Sequence, residues 1–290
     1  MTYLFTHDDL DGVGCAIVAY LAYPGSVTVK YCSYKTINSD IIALLDSLQS
    51  PATILIADIN VDEETANRLD CSSCDVRLFD HHPSGIMRPW MTVSTSPEEC
   101  GSTLLAKALL PEAEPCVLEF IDAVCRFDTW RFEKNAEAFP ERLNALHEML
   151  GHRGFVEMVL QSLSGGESFT IPHYFELAIA HSFEERERYF EAKEKAMVTT
   201  TLAGYKTGVV FAERDISLIA EYVFQKHPSL DIVAVSYMPA GVSLRTRRDD
   251  INLTEICRQR GGGGHQKAAA FYLSGKTAER AVEQILRQEA

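Results

Sequence analysis

Long apolar runs are missing from this chain of 290 residues. No segment approaches the roughly 18 consecutive apolar residues that a membrane-spanning helix requires, which excludes a helical membrane protein. The opening MTYLFTHDDLDG lacks the basic and apolar regions of a secretory signal and turns acidic at Asp8. The expected location is therefore cytoplasmic. Internal repeats and low-complexity tracts are absent too, which excludes solenoids and compositionally disordered tails. Basic residues are scarce: 27 Lys and Arg stand against 41 Asp and Glu, for a net charge of −14. Proteins that coat long nucleic acid draw most of their affinity from neutralising phosphates, so the balance argues against that class and for a small anionic ligand. Of the eight cysteines only Cys71 and Cys74 are closely spaced. Without a second such pair or neighbouring histidines they do not form a zinc motif, and all eight read as reduced thiols, several of them buried.

What is present reads as an α/β protein of two domains. Short strands are expected at Tyr3–Thr6, Val27–Cys32, Thr53–Ala57 and Val76–Phe79, separated by helices at Val13–Tyr23, Asn38–Leu48 and Asp62–Leu69. TILIA, at 53–57, is nearly all apolar, as a strand covered on both faces should be. Strand–helix units of this length imply a parallel sheet. Residues 101–198 read as mostly helical, ending in the charged stretch Tyr174–Met197. Beyond it, extended segments near Gly204–Phe211, Ile232–Tyr237, Val242–Arg245 and Ala268–Leu273, with helices at Asp215–Gln225 and Thr277–Arg287, describe a smaller α/β domain. The boundary is expected near residue 198, giving domains at 1–198 and 199–290.

Three clusters of metal-type ligands follow strands. His7, Asp9 and Asp11 come directly after the first; Asp58 follows TILIA; Asp80, His81 and His82 follow the strand ending at Phe79. Ligands of open parallel sheets bind outside the carboxyl ends of the strands, so all three clusters belong at one sheet edge. In an extended segment the alternation of His7, Asp9 and Asp11 would point their side chains the same way. A fourth contribution is expected from the helix around Pro115–Trp130, where Asp128 falls two turns after Ile121 on the apolar stripe, with Asp122 as the alternative. A buried aspartate needs a partner. Imidazole mixed with carboxylate suits Mn²⁺, Fe²⁺ or Co²⁺ better than Ca²⁺, and six ligands sharing one carboxylate describe a pair of divalent ions. Asp80 reads as a group that orients a ligand histidine. His147, His152, His173, His181 and His227 are assigned no function.

The second informative stretch is VSLRTRRDDINLTEICRQRGGGGHQKAAAF, residues 242–271. From 245 to 267 it carries six cationic residues against three acidic ones, a local excess of +3 in an acidic chain. Gly262, Gly263 and Gly264 can bring backbone N–H groups close to a phosphate. His265 adds a donor, and Arg245 a planar guanidinium suited to bidentate contact.

With these motifs assembled, the chain resembles the DHH phosphoesterases that carry a DHH-associated C-terminal domain. The motifs match in order: HDDLDG at 7–12, IADIN around Asp58, DHH at 80–82, Asp128–Thr129, SLRT at 243–246, and GGGH at 262–265 followed by AAAF. They bracket nearly the whole chain, and six in order are far more specific than the DHH tripeptide. A single residue separates His7 from Asp9, the short form seen in RecJ-like exonucleases and one branch of nanoRNases. The resemblance implies an N-terminal parallel-sheet domain with a C-terminal domain facing it across a cleft. It implies two metal ions, manganese as a rule, one held by His7, Asp9 and Asp58 and the other by Asp11, Asp58, His81 and Asp128. It implies His82, Arg245 and His265 as contacts to substrate phosphate. The expected function is hydrolysis of short oligonucleotides or linear dinucleotides to nucleoside monophosphates. Alternatives are action on cyclic dinucleotides or 3′-phosphoadenosine phosphate, hydrolysis of pyrophosphate or polyphosphate, and a silent nucleotide-binding module.

Overall fold

The computed structural model describes residues 1–131, 139–237 and 241–273. The chain packs as two compact units, Met1–Ala180 and His181–Ala290.

In the first unit, strands β1 (Thr2–His7), β2 (Val27–Cys32), β3 (Thr53–Ala57), β4 (Asp75–Asp80) and β5 (Met91–Val93) form one sheet in the order β2-β1-β3-β4-β5. Every pairing is parallel. The helices are α1 (Leu10–Ala22), α2 (Ile37–Ser47), α3 (Glu63–Asp70), α4 (Gly101–Leu109), α5 (Pro115–Asp128) and α6 (Phe139–Leu163). One sheet face carries Phe5, Ile54, Ile56, Val76 and Leu78, and it packs with Ile37 and Ile41 of α2 and Ala66 and Leu69 of α3. The alternate residues Leu4 and Leu55 are equally buried, which is why TILIA shows no polar face. Because β2 lies on one side of β1 and β3 on the other, the chain reverses its winding at β1 and β3. The crevice outside the carboxyl ends of those two strands is the place such a sheet reserves for ligands. His7 ends β1 and Asp58 follows β3.

Helix α7 (His173–Lys195) carries the division between the units. That division falls earlier than residue 198, because Phe190 of α7 packs with Val210, Val223, Phe224 and Val235 in the core of the second unit. The second unit is a six-stranded sheet, β10-β11-β9-β8-β7-β6, built from β6 (Val198–Leu202), β7 (Tyr205–Phe211), β8 (Ile232–Tyr237), β9 (Gly241–Arg245), β10 (Gly263–Gly264) and β11 (Ala268–Tyr272). Only β7 and β8 run parallel, joined through α8 (Ile216–Lys226); the other pairings are antiparallel. A short helix, α9 (Leu253–Arg258), buries Leu253, Ile256 and Cys257 against Ile232, Ala234 and Leu244. The expected helix at Thr277–Arg287 lies outside the described residues. All eight cysteines are free thiols, six of them buried. Among the described residues no helix is long and apolar enough to cross a membrane.

Candidate metal centre

Seven side chains from four chain segments meet at the carboxyl edge of the first sheet. Three groups of donor atoms, each lying within 4.8 Å of one another, occur there: His7, Asp9 and Asp58; Asp11, His81 and Asp128; and Asp58, His81 and His82. The first cluster is not extended beyond His7, as its alternation had implied. Asp9 instead caps α1, its Oδ1 accepting from Gly12 N at 3.0 Å, and Asp11 sits in the first helical turn. The chain turns sharply enough that a Cβ on Gly12 would stand 2.0 Å from the His7 carbonyl oxygen, so only glycine fits. Capping satisfies an orphan helix N–H and leaves Asp9 Oδ2 2.7 Å from Nδ1 of His7.

Asp58 lies at the middle. It is 1% exposed, and its φ of 58° is left-handed, a conformation that aspartate tolerates better than most residues. Its Oδ1 is 3.4 Å from His81 Nε2 and its Oδ2 4.0 Å from His7 Nδ1. Asp128 ends α5, and its Oδ2 lies 3.2 Å from the same His81 nitrogen. Asp11 is fixed from elsewhere. Gly101 N and Ser102 N, at the start of α4, donate to its carboxylate at 2.7 and 3.1 Å, and the Ser102 hydroxyl donates at 2.5 Å.

The electrostatics of this cluster call for cations. Burial and the charges of Asp9, Asp11, Asp128 and Asp80 push the Asp58 carboxyl well above the usual range. Burial and the charges of Asp11 and Asp9 do the same to Asp128. Burial, then the neighbouring His82, lowers His81 and favours the neutral imidazole a metal requires. At His7 burial opposes protonation, but the hydrogen bond and charge of Asp9 outweigh it and raise the pKa. Both carboxylate oxygens of Asp58, Nε2 of His81 and Oδ2 of Asp128 are buried without a hydrogen bond. Native interiors rarely leave such atoms unsatisfied. Orphaned oxygens and an imidazole nitrogen converging within ligand distance fit divalent cations of the Mn²⁺, Mg²⁺ or Fe²⁺ kind.

No protein-family model matches the chain. Its fold is similar to that of a solved DHH domain described as a member of the s1p family of ribosomal proteins, with a TM-score of 0.64, 15% identity, and coverage of 99% of this chain and 86% of that one. It is also similar to RecJ of Thermus thermophilus in complex with Mn²⁺, with a TM-score of 0.55, 14% identity, and coverage of 96% of this chain and 50% of the other. In sequence it is 30% identical over 306 residues to oligoribonuclease NrnB of Bacillus subtilis (strain 168), across 99% of this chain and 76% of that protein. The chain belongs to the DHH phosphoesterase family.

The aspartate of the DHH tripeptide contacts the ring of His82 and only the backbone of His81. Asp80 is fully buried, and its Oδ1 is 2.8 Å from Nδ1 of His82, while the backbone N–H groups of His81 and His82 donate to it at 2.8 and 3.2 Å. Asn60 holds the other oxygen at 2.5 Å. Asp80 thus fixes the ring of His82. The reason is local: one residue past the strand end, the backbone folds back over the Asp80 carboxylate.

In the second unit of this DHH protein, the glycine run is packed and not an open loop. Gly263 and Gly264 pair with Ala270 and Ala269 as β10. A Cβ on Gly262 would lie 2.1 Å from the Ala270 carbonyl oxygen, and Gly264 adopts φ 135°. His265 is exposed in the turn that follows, its N–H donating to Ala268 O at 2.7 Å. Most of the local basic excess is neutralised by partners: Arg247 pairs with Glu221, Arg248 with Asp231 and Asp250, and Lys267 with Asp249. Arg245 differs. Its guanidinium contacts only neutral oxygens, Ser243 Oγ at 2.7 Å, Leu244 O at 3.0 Å and Ser217 Oγ at 2.9 Å, and burial lowers its pKa. Among the described residues no carboxylate pairs with it, which leaves a half-buried cation suited to an anionic ligand.

Asn60, Gly101 and Ser102 support the centre and were not singled out in the sequence. Asn60 had a signal, standing inside IADIN beside Asp58. A Cβ on Gly101 would be 2.5 Å from Asp58 Cβ, a contact that nothing local to CGST discloses.

Proposed function

We propose that this chain is a divalent-metal-dependent phosphodiesterase that hydrolyses short oligonucleotides or dinucleotides to nucleoside monophosphates, with two ions, foremost Mn²⁺, bound at once. One observation carries this reading: two donor groups, His7–Asp9–Asp58 and Asp11–His81–Asp128, are linked by Asp58 of the first and His81 of the second, with Asp58 Oδ1 3.4 Å from His81 Nε2. Membership of the DHH family and relation to an oligoribonuclease support the reaction class. The net charge of −14 supports a short substrate over a long one.

When bound, such ions supply an acidified water and neutralise charge on the phosphate. The protein's own residues do the rest. His7, Asp9, Asp11, Asp58, His81 and Asp128 form the cage. Asp80 holds Nδ1 of His82 at 2.8 Å, so the ring meets substrate phosphate through Nε2 in a fixed orientation. Arg245 and His265 contact a substrate phosphate, while Gly262, whose N–H donates to Cys257 O at 3.0 Å, and Gly263 and Gly264 in β10 shape the turn that presents His265. Arg245 is supported for this by its lack of a carboxylate partner among the described residues.

The test is hydrolysis of a dinucleotide, of oligonucleotides of increasing length, of a cyclic dinucleotide, of 3′-phosphoadenosine phosphate and of pyrophosphate, each with Mn²⁺ and after chelation. Turnover should fall as the substrate lengthens and vanish on chelation. Binding without hydrolysis of any substrate, or a preference for pyrophosphate, would sink the proposal.

A further inference from the structure

The turn after β2 sets an aromatic ring beside the metal centre. The ring of Tyr34 lies 5.6 Å from that of His7, tilted by 53°, and 6.3 Å from that of His82 at 90°. Neither histidine stacks on its face, and Tyr34 remains 55% exposed. Its position is fixed by backbone. Cys32 of β2 is in register with His7 of β1. Ser33 N donates to Thr36 Oγ1 at 3.0 Å, and Thr36 N and Ile37 N both donate to Ser33 O at 3.0 Å. A tyrosine that served packing would bury its ring; this one is held in place and left open.

A phosphodiester lying among His7, Asp58 and His82 carries its bases one sugar away on either side. That is where a ring beside both histidines stands. We propose that Tyr34 is a stacking platform for a nucleobase flanking the scissile phosphate, an inference that rests on the phosphodiesterase reading above. Stacking tolerates any base because each has a π-face, so this subsite selects for the presence of a base and against simple phosphate esters. Tyr34 thereby acts on substrate positioning and leaves the metal cage alone.

The experiment measures kcat, KM and bound manganese for the Mn²⁺-loaded full chain and for Tyr34→Ala and Tyr34→Phe. The substrates are a dinucleotide and its two analogues lacking one base or the other. Tyr34→Ala should raise KM for the dinucleotide by about ten-fold, the size one base–ring stack supplies, with kcat changed by less than about two-fold. Tyr34→Phe, which keeps the ring, should recover most of that loss. One of the two abasic analogues should be used equally by the parent protein and Tyr34→Ala, and bound manganese should not change. An unaltered KM in Tyr34→Ala, an equal loss on both analogues, or a loss of manganese would overturn the platform while leaving the phosphodiesterase standing. A parent protein that cleaves no dinucleotide would overturn both.

Discussion

Gly101→Ala is the most demanding test of the centre. Gly101 begins α4, and its N–H donates to Asp11 at 2.7 Å. An alanine Cβ there would stand 2.5 Å from Asp58 Cβ, 2.8 Å from Asp58 Cα and 2.9 Å from Asp58 N. Carbon atoms pack at roughly 3.5–4.0 Å, so at least about 1 Å of movement is required. Two of the three atoms are backbone, and no rotamer change relieves the clash. Either Asp58 moves away from His81 and His7, or α4 retreats and takes both N–H donors from Asp11. Overpacking of this kind costs about 1–3 kcal/mol of stability, and a misplacement of about 1 Å costs on the order of a hundred-fold in rate. The expected result is a folded protein with weakened Mn²⁺ binding and kcat/KM lowered by about two orders of magnitude. Gly154→Ala serves as the control, since its Cβ would meet only Leu150 Cβ, at 3.4 Å, and it should be neutral or slightly stabilising. Wild-type metal affinity and turnover in Gly101→Ala would refute the geometry argued for Asp58 and Asp11.

Three further outcomes are expected. Asp58→Asn replaces a buried carboxyl whose ionisation is opposed by burial and by Asp9, Asp11, Asp128 and Asp80; the metal-free protein should melt higher and the gain in Tm on adding Mn²⁺ should disappear, both read by thermal denaturation. His265→Ala should impair substrate use while leaving metal content intact, and loss of metal would mean that the C-terminal turn has been misassigned. His147 is 6% exposed, and burial followed by the charge of His152 depresses its pKa to about 4. An unfolded histidine near 6.5 takes up its proton first, so stability is full above pH 6.5 and is lost as pH falls toward 4. The loss should reach about 2 kcal/mol between pH 7.5 and 5, and denaturant titrations should show a smaller loss in His147→Leu.

The parts of the centre legible in the sequence are those fixed by strand ends. His7, Asp58 and His81 each sit at the end of an apolar strand, and a parallel sheet gathers such ends whatever lies between them. Asp128 was legible through the stripe of α5, which runs to that residue. The alternation of His7, Asp9 and Asp11 pointed to residues that do come together, but through an extended geometry the chain does not adopt, because Asp9 caps α1. Contacts between distant segments were not legible. Ser102 holds Asp11 across 91 positions, and Glu221 and Asp231 neutralise arginines that locally looked like an open basic patch. Strands β5 and β6 were missed for opposite reasons: β5 has three residues, and β6 is mostly exposed threonine, so neither offers an apolar run.

The wide spacing of the donors has a consequence for the timing of activity. A growing polypeptide presents His7, Asp9 and Asp11 first, yet the cage they belong to stays incomplete until Asp128 has emerged and α5 has docked, since domains fold as units during synthesis. A donor set confined to one short segment could close before the rest of the sheet had folded. Here the donor set closes only once α5 has been made and has docked against α1 and α4.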